Sequence, residues 1–197
     1  DVGSGKTIVA VLALMLVGLN GYQGALMAPT EILASQHYDS FKEILESFNI
    51  KSELLVGSLT KKQKEKVLQK VKNQEIDILI GTHALIEDKV EFKNLGMVIT
   101  DEQHRFGVRQ RGRLSNKGDS PDILVMTATP IPRTLALILY GDLDISIIDE
   151  LPPGRQPIET IAIEYKRRKE AYENLVRDEV EKGRQVYVVC PLVEESE

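Results

Sequence analysis

The chain opens on a glycine-rich loop that runs directly into a long apolar segment. Its first seven residues, Asp1-Val2-Gly3-Ser4-Gly5-Lys6-Thr7, match seven of the eight positions of the phosphate-binding pattern G-x-x-x-x-G-K-[ST]. In such a loop, successive backbone N–H groups point at phosphate oxygens, and the helix that starts at the lysine adds its positive end. The pattern therefore predicts a nucleotide-phosphate site, rather than a plain glycine-rich turn, that is formed by Gly3, Ser4, Gly5, Lys6 and Thr7.

Two side chains of this loop have specific predicted roles. Lys6 is expected to contact the β- and γ-phosphates, and the hydroxyl of Thr7 is expected to bind Mg²⁺. The chain begins inside the pattern, without its leading glycine or the strand that normally precedes it. We therefore expect these residues to be an internal piece of a longer polypeptide, with termini that are not domain boundaries.

Short apolar runs alternate with helix-length segments along most of the chain. Strands are predicted at 25–28, 53–56, 76–80, 97–100 and 123–126, and helices at 6–19, after Thr30 and after Thr60. In the helix after Thr30, one stripe is predicted to face a core, and it consists of Leu33, His37, Phe41, Ile44, Leu45 and Phe48. Continuous apolar strands separated by helices indicate parallel βαβ units. The predicted class is α/β, with a mostly parallel, doubly wound sheet.

A proline-rich stretch interrupts this alternation. Residues 151–157 hold three prolines and one glycine, which exclude both a helix and a central strand. We interpret 151–157 as a linker, 1–150 as a first domain and 158–197 as the truncated start of a second α/β lobe. In that lobe, strands are predicted at 158–163 and 185–190, with a helix between them at about 168–182.

Composition narrows the classes of protein that remain. The chain has 197 residues and 42% hydrophobic content, enough to bury a substantial core without disulfides. The most apolar run, residues 8–19, is shorter than the roughly 20 residues that cross a bilayer. No membrane partner is expected, and the single cysteine, Cys190, favours the cytoplasm. The net charge of −5 means that any nucleic acid must bind to local basic patches.

Two adjacent carboxylates follow the strand predicted at 97–100. Asp101 and Glu102 would lie at the carboxyl end of a buried strand, where α/β sheets bind their ligands. Asp101 is expected to bind the Mg²⁺ through its water shell, and Glu102 to accept a proton from the attacking water. A solvated acidic loop is the alternative, but a phosphate-binding loop needs such an acidic partner. The three histidines are unclustered, so a metal site made of protein ligands alone is not expected.

Five segments occur in the order of motifs I, Ia, Ib, II and III of superfamily 2 helicases. They are residues 1–7, 28–31 (Ala-Pro-Thr-Glu), 81–83 (Gly-Thr-His), 101–104 (Asp-Glu-Gln-His) and 126–130 (Met-Thr-Ala-Thr-Pro). Within that superfamily, residues 101–108, 127–134 and 141–155 resemble the RecG family of branched-DNA translocases. The related Mfd family of transcription-repair coupling translocases typically has Asp-Glu-Glu-His in motif II, so Gln103 favours the RecG family.

The resemblance implies a function and an assignment of residues. A RecG-like protein would hydrolyse ATP with Mg²⁺ and drive branch migration and fork reversal at Holliday junctions and stalled replication forks. Residues 1–150 would be its first RecA-like motor lobe, and its partners would be branched or duplex DNA and the rest of the same polypeptide, a wedge domain and the second motor lobe. Contacts to DNA phosphates are implied for Pro29, Thr30, Gly81, Thr82 and His83. Coupling between nucleotide and DNA is implied for Gln103, His104, Thr127, Ala128 and Thr129.

Plain structural roles are the alternatives for two of these segments. Pro29 and Thr30 also fit a strand exit with a helix N-cap, and Gly81 and Thr82 fit a turn before a short helix. For the whole chain, the alternatives are an Mfd-like translocase and a nucleotide-dependent DNA-binding module without motor activity.

A basic patch supports DNA binding independently of the resemblance. Residues 105–117 contain no acidic residue. The patch consists of their five basic side chains, Arg105, Arg109, Arg111, Arg113 and Lys117. The lysine-rich segment 61–72 is more typical of a solvated helix face. Aromatic residues are only 5% of the chain, which favours contacts with a duplex backbone over stacking on single strands. Residues 116–119 match the guanine-binding pattern N-K-x-D, but no buried strand precedes them, which argues against a GTPase.

Overall fold

A computed structural model of the chain describes residues 4–101, 114–127, 144–148 and 158–189. The chain divides into two compact units, Asp1–Pro153 and Gly154–Glu197.

The described residues of the first unit form a five-stranded sheet with helices on both faces. Its helices are α1 (Lys6–Leu19), α2 (Glu31–Ser47), α3 (Lys61–Lys72) and a 3₁₀ turn at His83–Ile86. Its strands are β1 (Gln23–Met27), β2 (Ser52–Leu55), β3 (Ile78–Gly81), β4 (Leu95–Thr100) and β5 (Asp122–Val125). The strand order is β2-β3-β1-β4-β5, and every neighbouring pair is parallel. The predicted α/β class with a parallel, doubly wound sheet is therefore confirmed.

The five strands end in one row. Met27 of β1 is paired with Gly81 of β3 on one side and with Thr100 of β4 on the other. Leu55 and Val125 extend the row to the two outer strands. The segments that follow the strands therefore lie along one side of the sheet, which we call the carboxyl edge.

Two apolar layers bury the two faces of the sheet. Buried residues of α1 and α2 pack with alternate strand residues such as Leu26, Ile80 and Ile99. The intervening residues, including Met27 and Val98, pack on the opposite face with α3 and the 83–95 segment. Burial on both faces is the reason that these strands are continuous apolar runs in the sequence.

Side-chain caps fix the starts of α2 and α3. The hydroxyl of Thr30 accepts a hydrogen bond from the N–H of Leu33 (3.3 Å). Thr60 and Gln63 form a reciprocal capping box at the start of α3. Both predicted helix starts are confirmed.

The predicted core-facing stripe of α2 is correct except at its end. Ala34, His37, Phe41 and Leu45 are the buried residues of this helix. Phe48 is 48% exposed because α2 ends at Ser47 and the backbone of Phe48 leaves the helical conformation. The helical period therefore no longer directs the Phe48 ring toward the sheet.

Helix α1 is apolar on both of its sides. Ala10, Val11 and Leu14 are buried against the sheet, whereas Ile8, Leu12, Leu16 and Leu19 are 49–64% exposed. Within the part of the chain that the structure describes, no helix combines the length and the apolar character needed to cross a bilayer.

In the second unit, the described residues form a short helical segment. A 3₁₀ turn (Tyr165–Arg167) leads into α4 (Arg168–Ala171), a π-helical turn (Tyr172–Val176) and α5 (Arg177–Glu181). The predicted helix at about 168–182 thus forms. The strands predicted at 158–163 and 185–190 do not form over 158–164 and 184–189, where Ile158 is 77% and Val189 is 91% exposed. A strand needs a neighbour to accept its hydrogen bonds, and these segments pair with none among the described residues. The predicted linker at 151–157 lies outside the described residues.

Candidate nucleotide and nucleic-acid site

The amino end of α1 has the features of an anion-binding helix terminus. Gly5 precedes the helix with φ +90°, a left-handed conformation that favours glycine. Its carbonyl accepts hydrogen bonds from the N–H groups of Ile8 and Val9 (3.1 and 3.4 Å), and it has no side chain to cap the helix. The first turn contains no acidic residue, and Lys6 Nζ donates to Ser4 Oγ (3.2 Å). A phosphate is the kind of group that this terminus would bind.

This terminus lies toward the carboxyl edge. The carboxyl end of α1 joins the start of β1 through a turn in which Gly21 has φ +76°. Leu14 of α1 lies beside Gly24 at the start of β1, and Lys6, at the amino end of α1, is eight residues, or about 12 Å, further from that turn along the helix. The predicted phosphate loop and the ends of the strands are therefore on the same side of the sheet.

Asp101 directly follows β4 at this edge. Its backbone N–H donates to the carbonyl of Met27 (3.0 Å), and its Oδ2 lies 2.8 Å from Nε2 of His37. Only 14% of the Asp101 side chain and 11% of the His37 side chain are exposed. Sequence reasoning placed His37 in the core-facing stripe but missed its contact with Asp101. The feature that could have indicated this contact is a polar residue in an otherwise apolar stripe.

The residues at the carboxyl edge fit a nucleotide with a divalent cation. Mg²⁺ prefers oxygen ligands and is usually bound by one or two protein groups together with phosphate oxygens and water. The hydroxyl of Thr7 and the carboxylate of Asp101 are ligands of this type. Among the described residues there is no cluster of three or more His, Cys, Asp or Glu side chains that could bind a metal alone.

Several predicted site residues lie outside the described residues. They are Gly3, Glu102, Gln103, His104, Arg105, Ala128 and Thr129. Their roles stay predictions. Thr127 is described, and it follows Met126, whose N–H donates to the carbonyl of Thr100 (2.9 Å). The start of the predicted coupling segment is thus next to Asp101 along the carboxyl edge.

The residues predicted to contact DNA also follow strands at this edge. Pro29 and Thr30 come after β1, Gly81 ends β3, Thr82 is buried, and His83 is exposed at the start of the 3₁₀ turn.

Two of these residues also have structural roles. Thr30 caps α2, and a Cβ added to Gly81 would lie 2.2 Å from the backbone oxygen of Leu55. The cap at Thr30 is the alternative that the sequence left open, whereas the close approach of Gly81 to Leu55 was not predicted. Contacts with DNA stay a prediction.

One further loop of the edge was missed by sequence reasoning. Glu31 Oε1, in the first turn of α2, accepts a hydrogen bond from the N–H of Ser58 (3.1 Å). The pKa of Glu31 is lowered, mainly by hydrogen bonding with Ser58 and less by the charge of Lys64. Lys64 also donates to the carbonyl of Gly57 (2.7 Å). The loop after β2 is therefore attached to the helices on both sides of it.

Arg105, Arg109, Arg111 and Arg113 of the predicted basic patch lie outside the described residues, and the structure corrects the remaining member, Lys117. Lys117 Nζ donates to the backbone carbonyls of Glu87 (2.7 Å) and Val90 (2.8 Å), and burial lowers the pKa of its ammonium group. It anchors a turn instead of facing solvent. Because Lys117 is engaged in these backbone contacts, the N-K-x-D match at 116–119 has a structural role.

The lysines of α3 have protein partners in several cases. Lys70 is paired with Glu53, which raises the pKa of Lys70, and Lys72 is paired with Glu91 (2.6 Å). These pairs favour the solvated-face interpretation of residues 61–72.

Comparison with known proteins gives concordant matches. Residues 1–138 match the family model described as DEAD/DEAH box helicase. The whole chain is 59% identical to an ATP-dependent DNA helicase RecG of Aquifex aeolicus and 54% identical to one of Bacillus subtilis. It covers 25% and 29% of these two proteins, so it spans about a quarter of the length of the curated relatives it matches.

A solved structure shows the same similarity in three dimensions. The structure of RecG bound to a three-way DNA junction is 52% identical, with a TM-score of 0.78, over 98% of this chain and 26% of that chain. The resemblance indicated by the sequence motifs and the RecA-like fold are thereby confirmed.

Proposed function

The chain belongs to the DEAD/DEAH box helicase family, and from that premise we propose that it is the ATP-binding motor portion of a RecG-like DNA helicase. One observation carries the proposal. Five parallel strands end in a single row, with Asp101 after β4 and the phosphate-type amino end of α1 on the same side of the sheet. This edge can bind a nucleotide on one part and a nucleic-acid backbone on another.

The nucleotide would be bound by the first loop and the first carboxylates of the edge. Backbone N–H groups at the start of α1 and the ammonium of Lys6 would bind the phosphates. Thr7 and Asp101 would bind Mg²⁺, which supplies positive charge to the phosphate oxygens when it is present. Glu102 would accept a proton from the attacking water.

The DNA would be bound by the segments after β1 and β3. Pro29, Thr30 and residues 81–83 would contact backbone phosphates, together with Arg105. The segments 103–104 and 127–129 would couple the state of the nucleotide to these contacts. The solved RecG structure is bound to a three-way junction, which supports branched DNA as the substrate.

The activity proposed for the whole protein requires more than the residues of this chain. It is ATP-driven branch migration and fork reversal at Holliday junctions and stalled forks, in DNA recombination and repair in the cytoplasm. The RecG relatives are about three and a half to four times as long as this chain, which supports a longer polypeptide with a wedge domain and a complete second motor lobe.

The test measures ATP binding, hydrolysis and junction binding in the full-length protein. Lys6→Ala is expected to lower turnover by at least about 100-fold, because a preorganised cation on the phosphates is lost. Glu102→Gln is expected to slow hydrolysis by about 100-fold or more while ATP still binds, because the amide cannot accept the proton. Both variants are expected to bind junction DNA as the wild type does in gel shifts at fixed salt.

The matched control is Lys42→Ala, which removes an exposed lysine from the outer face of α2. It is expected to leave turnover unchanged. Normal turnover in Lys6→Ala would contradict the phosphate site. A wild-type protein that binds nucleotide and DNA but shows no turnover would instead be a binding module without motor activity.

A further inference from the structure

The proposed function leaves His37 without a role. It lies on the face of α2 that packs against the sheet, between the buried residues Ala34 and Phe41. An apolar side chain would complete this stripe without needing a polar partner. The packing of α2 therefore does not explain why an imidazole is buried here, and the explanation must come from its polar contact.

The contact of His37 joins two distant parts of the chain. Its Nε2 lies 2.8 Å from Oδ2 of Asp101, which is 64 residues further along. A carboxylate oxygen can only accept a hydrogen bond, so Nε2 carries the proton and donates it. The distance is in the range of charge-assisted hydrogen bonds, which are roughly twice as strong as neutral ones.

Both ends of this hydrogen bond are attached to rigid elements. The ring of His37 packs against the ring of Phe41, with 5.6 Å between the centroids, and Phe41 is 1% exposed. Asp101 is fixed at the end of β4 by its backbone hydrogen bond to Met27. The bond from His37 therefore restrains the rotation of the carboxylate relative to a backbone that is held by the sheet.

Stability alone is a weak reason for this pair. Removing a carboxylate and an imidazole from water costs free energy, and apolar residues of similar size often stabilise a fold as well or better. The carboxylate is also the one proposed to bind Mg²⁺. Hydrogen bonds to metal-binding side chains orient them, and their loss typically lowers metal affinity or activity by 10- to 100-fold.

We propose that His37 is a positioning residue that orients the carboxylate of Asp101 toward the divalent cation bound with the nucleotide. The inference rests on the proposed nucleotide site, because His37 acts through Asp101 and does not itself contact the metal.

The experiment measures metal binding directly in the full-length protein. Mn²⁺ replaces Mg²⁺ as the probe, and electron paramagnetic resonance follows the free Mn²⁺ signal during titration of the protein saturated with ADP. In His37→Leu, the Mn²⁺ dissociation constant is expected to rise about tenfold. In His37→Gln, whose amide N–H can still donate to Asp101, it is expected to stay within about threefold of the wild type.

If His37 served packing alone, His37→Gln would weaken Mn²⁺ binding more than His37→Leu, because Leu fits the apolar stripe better than Gln. Equal Mn²⁺ affinity in His37→Leu and the wild type, or weaker binding in His37→Gln than in His37→Leu, would overturn the proposal. Leu45→Ala is the control for packing, because Leu45 is buried on α2 two turns beyond His37. It is expected to lower the melting temperature with little change in Mn²⁺ affinity.

Asp101→Asn separates this inference from the proposed function. If Asp101→Asn weakens Mn²⁺ binding and His37→Leu does not, only the positioning role fails. If Asp101→Asn also binds Mn²⁺ as the wild type does, the metal site itself is wrong and the positioning role fails with it.

Discussion

Gln23 shows how a single buried side chain can join several loops of the first unit. Its Nε2 donates to the carbonyls of Val71 (2.9 Å) and Ile76 (2.8 Å), and its Oε1 accepts from the N–H groups of Lys93 (2.9 Å) and Asn94 (3.1 Å). The residue is 1% exposed, and all of these partners are backbone groups. Gln23 therefore links the start of β1 to the end of α3 and to the loop that precedes β4.

Replacing this glutamine should lower stability substantially. Gln23→Leu removes both donors and the acceptor and leaves four backbone groups to find water or remain unpaired, at about 1–3 kcal/mol for each group that stays buried. Because part of the loops can become hydrated, we expect a net loss of about 3 kcal/mol in urea unfolding. Gln69→Leu, on the exposed side of α3, is the control and should change stability by less than about 0.5 kcal/mol. Equal stability of the two variants would show that Gln23 does not join the loops.

At this scale, sequence reasoning reached the groups whose chemistry is local. The loop at 3–7 and the carboxylate of Asp101 were predicted as site residues because the loop directly precedes an apolar helix and Asp101 directly follows an apolar strand. The partner of Asp101 was missed because His37 is 64 residues away and no periodicity links the two. Lys117 was misassigned for the same reason, since its carbonyl partners at 87 and 90 belong to another loop.

At the scale of elements, the close pairing of β2 and β3 determines which residue can end β3. Leu55 and Gly81 are paired in register, and a Cβ at Gly81 would lie 2.2 Å from the Leu55 oxygen. A backbone atom cannot move aside as a side-chain end can. The glycine is therefore needed for the sheet itself, whether or not DNA passes over it.

This requirement gives a prediction that separates fold from binding. Gly81→Ala should lower the free energy of unfolding by about 3 kcal/mol, at the upper end of the usual cost of overpacking, because β2 and β3 must separate locally. The matched control is Gly57→Ala, where the added Cβ meets only the flexible Glu31 carboxylate at 2.6 Å. It should cost clearly less in thermal unfolding, about 1 kcal/mol, because the end of the Glu31 side chain can move aside with loss of its hydrogen bond to Ser58. A stable Gly81→Ala protein with weakened DNA binding would instead indicate that contact with DNA is the reason for the glycine.

Elements were predictable where two layers bury them. The five strands of the first unit were recognised within a few residues. Burial on both faces makes the central strands β1, β3 and β4 mostly apolar, and the outer strands β2 and β5 each keep a short apolar run. The segments at 158–163 and 185–189 are also rich in apolar residues, but they have no paired neighbour among the described residues. An apolar run indicates that a segment can be buried. Whether it forms a strand depends on a neighbouring strand with which it can pair.

At the scale of the whole molecule, the nucleotide edge is only part of what turnover requires. The chain covers 25–29% of its curated RecG relatives. In the helicase family that the motifs resemble, an arginine from the second motor lobe closes over the γ-phosphate, and residues 158–197 contain no match to that motif. Binding and hydrolysis should therefore depend on different parts of the full-length protein.

These 197 residues alone should consequently show almost no ATPase activity, with or without branched DNA. An arginine of this kind contributes roughly 10³- to 10⁵-fold in rate, so phosphate release by the isolated chain should fall at least about 1,000-fold below that of the full-length protein. Extending the chain through the complete second lobe should restore most of this loss. Adding only the residues that precede the loop in the full-length protein should improve ATP binding in calorimetry without restoring turnover. Brisk turnover by the isolated chain would contradict the two-lobe mechanism, because it would mean that residues 1–197 contain every group that the hydrolysis needs.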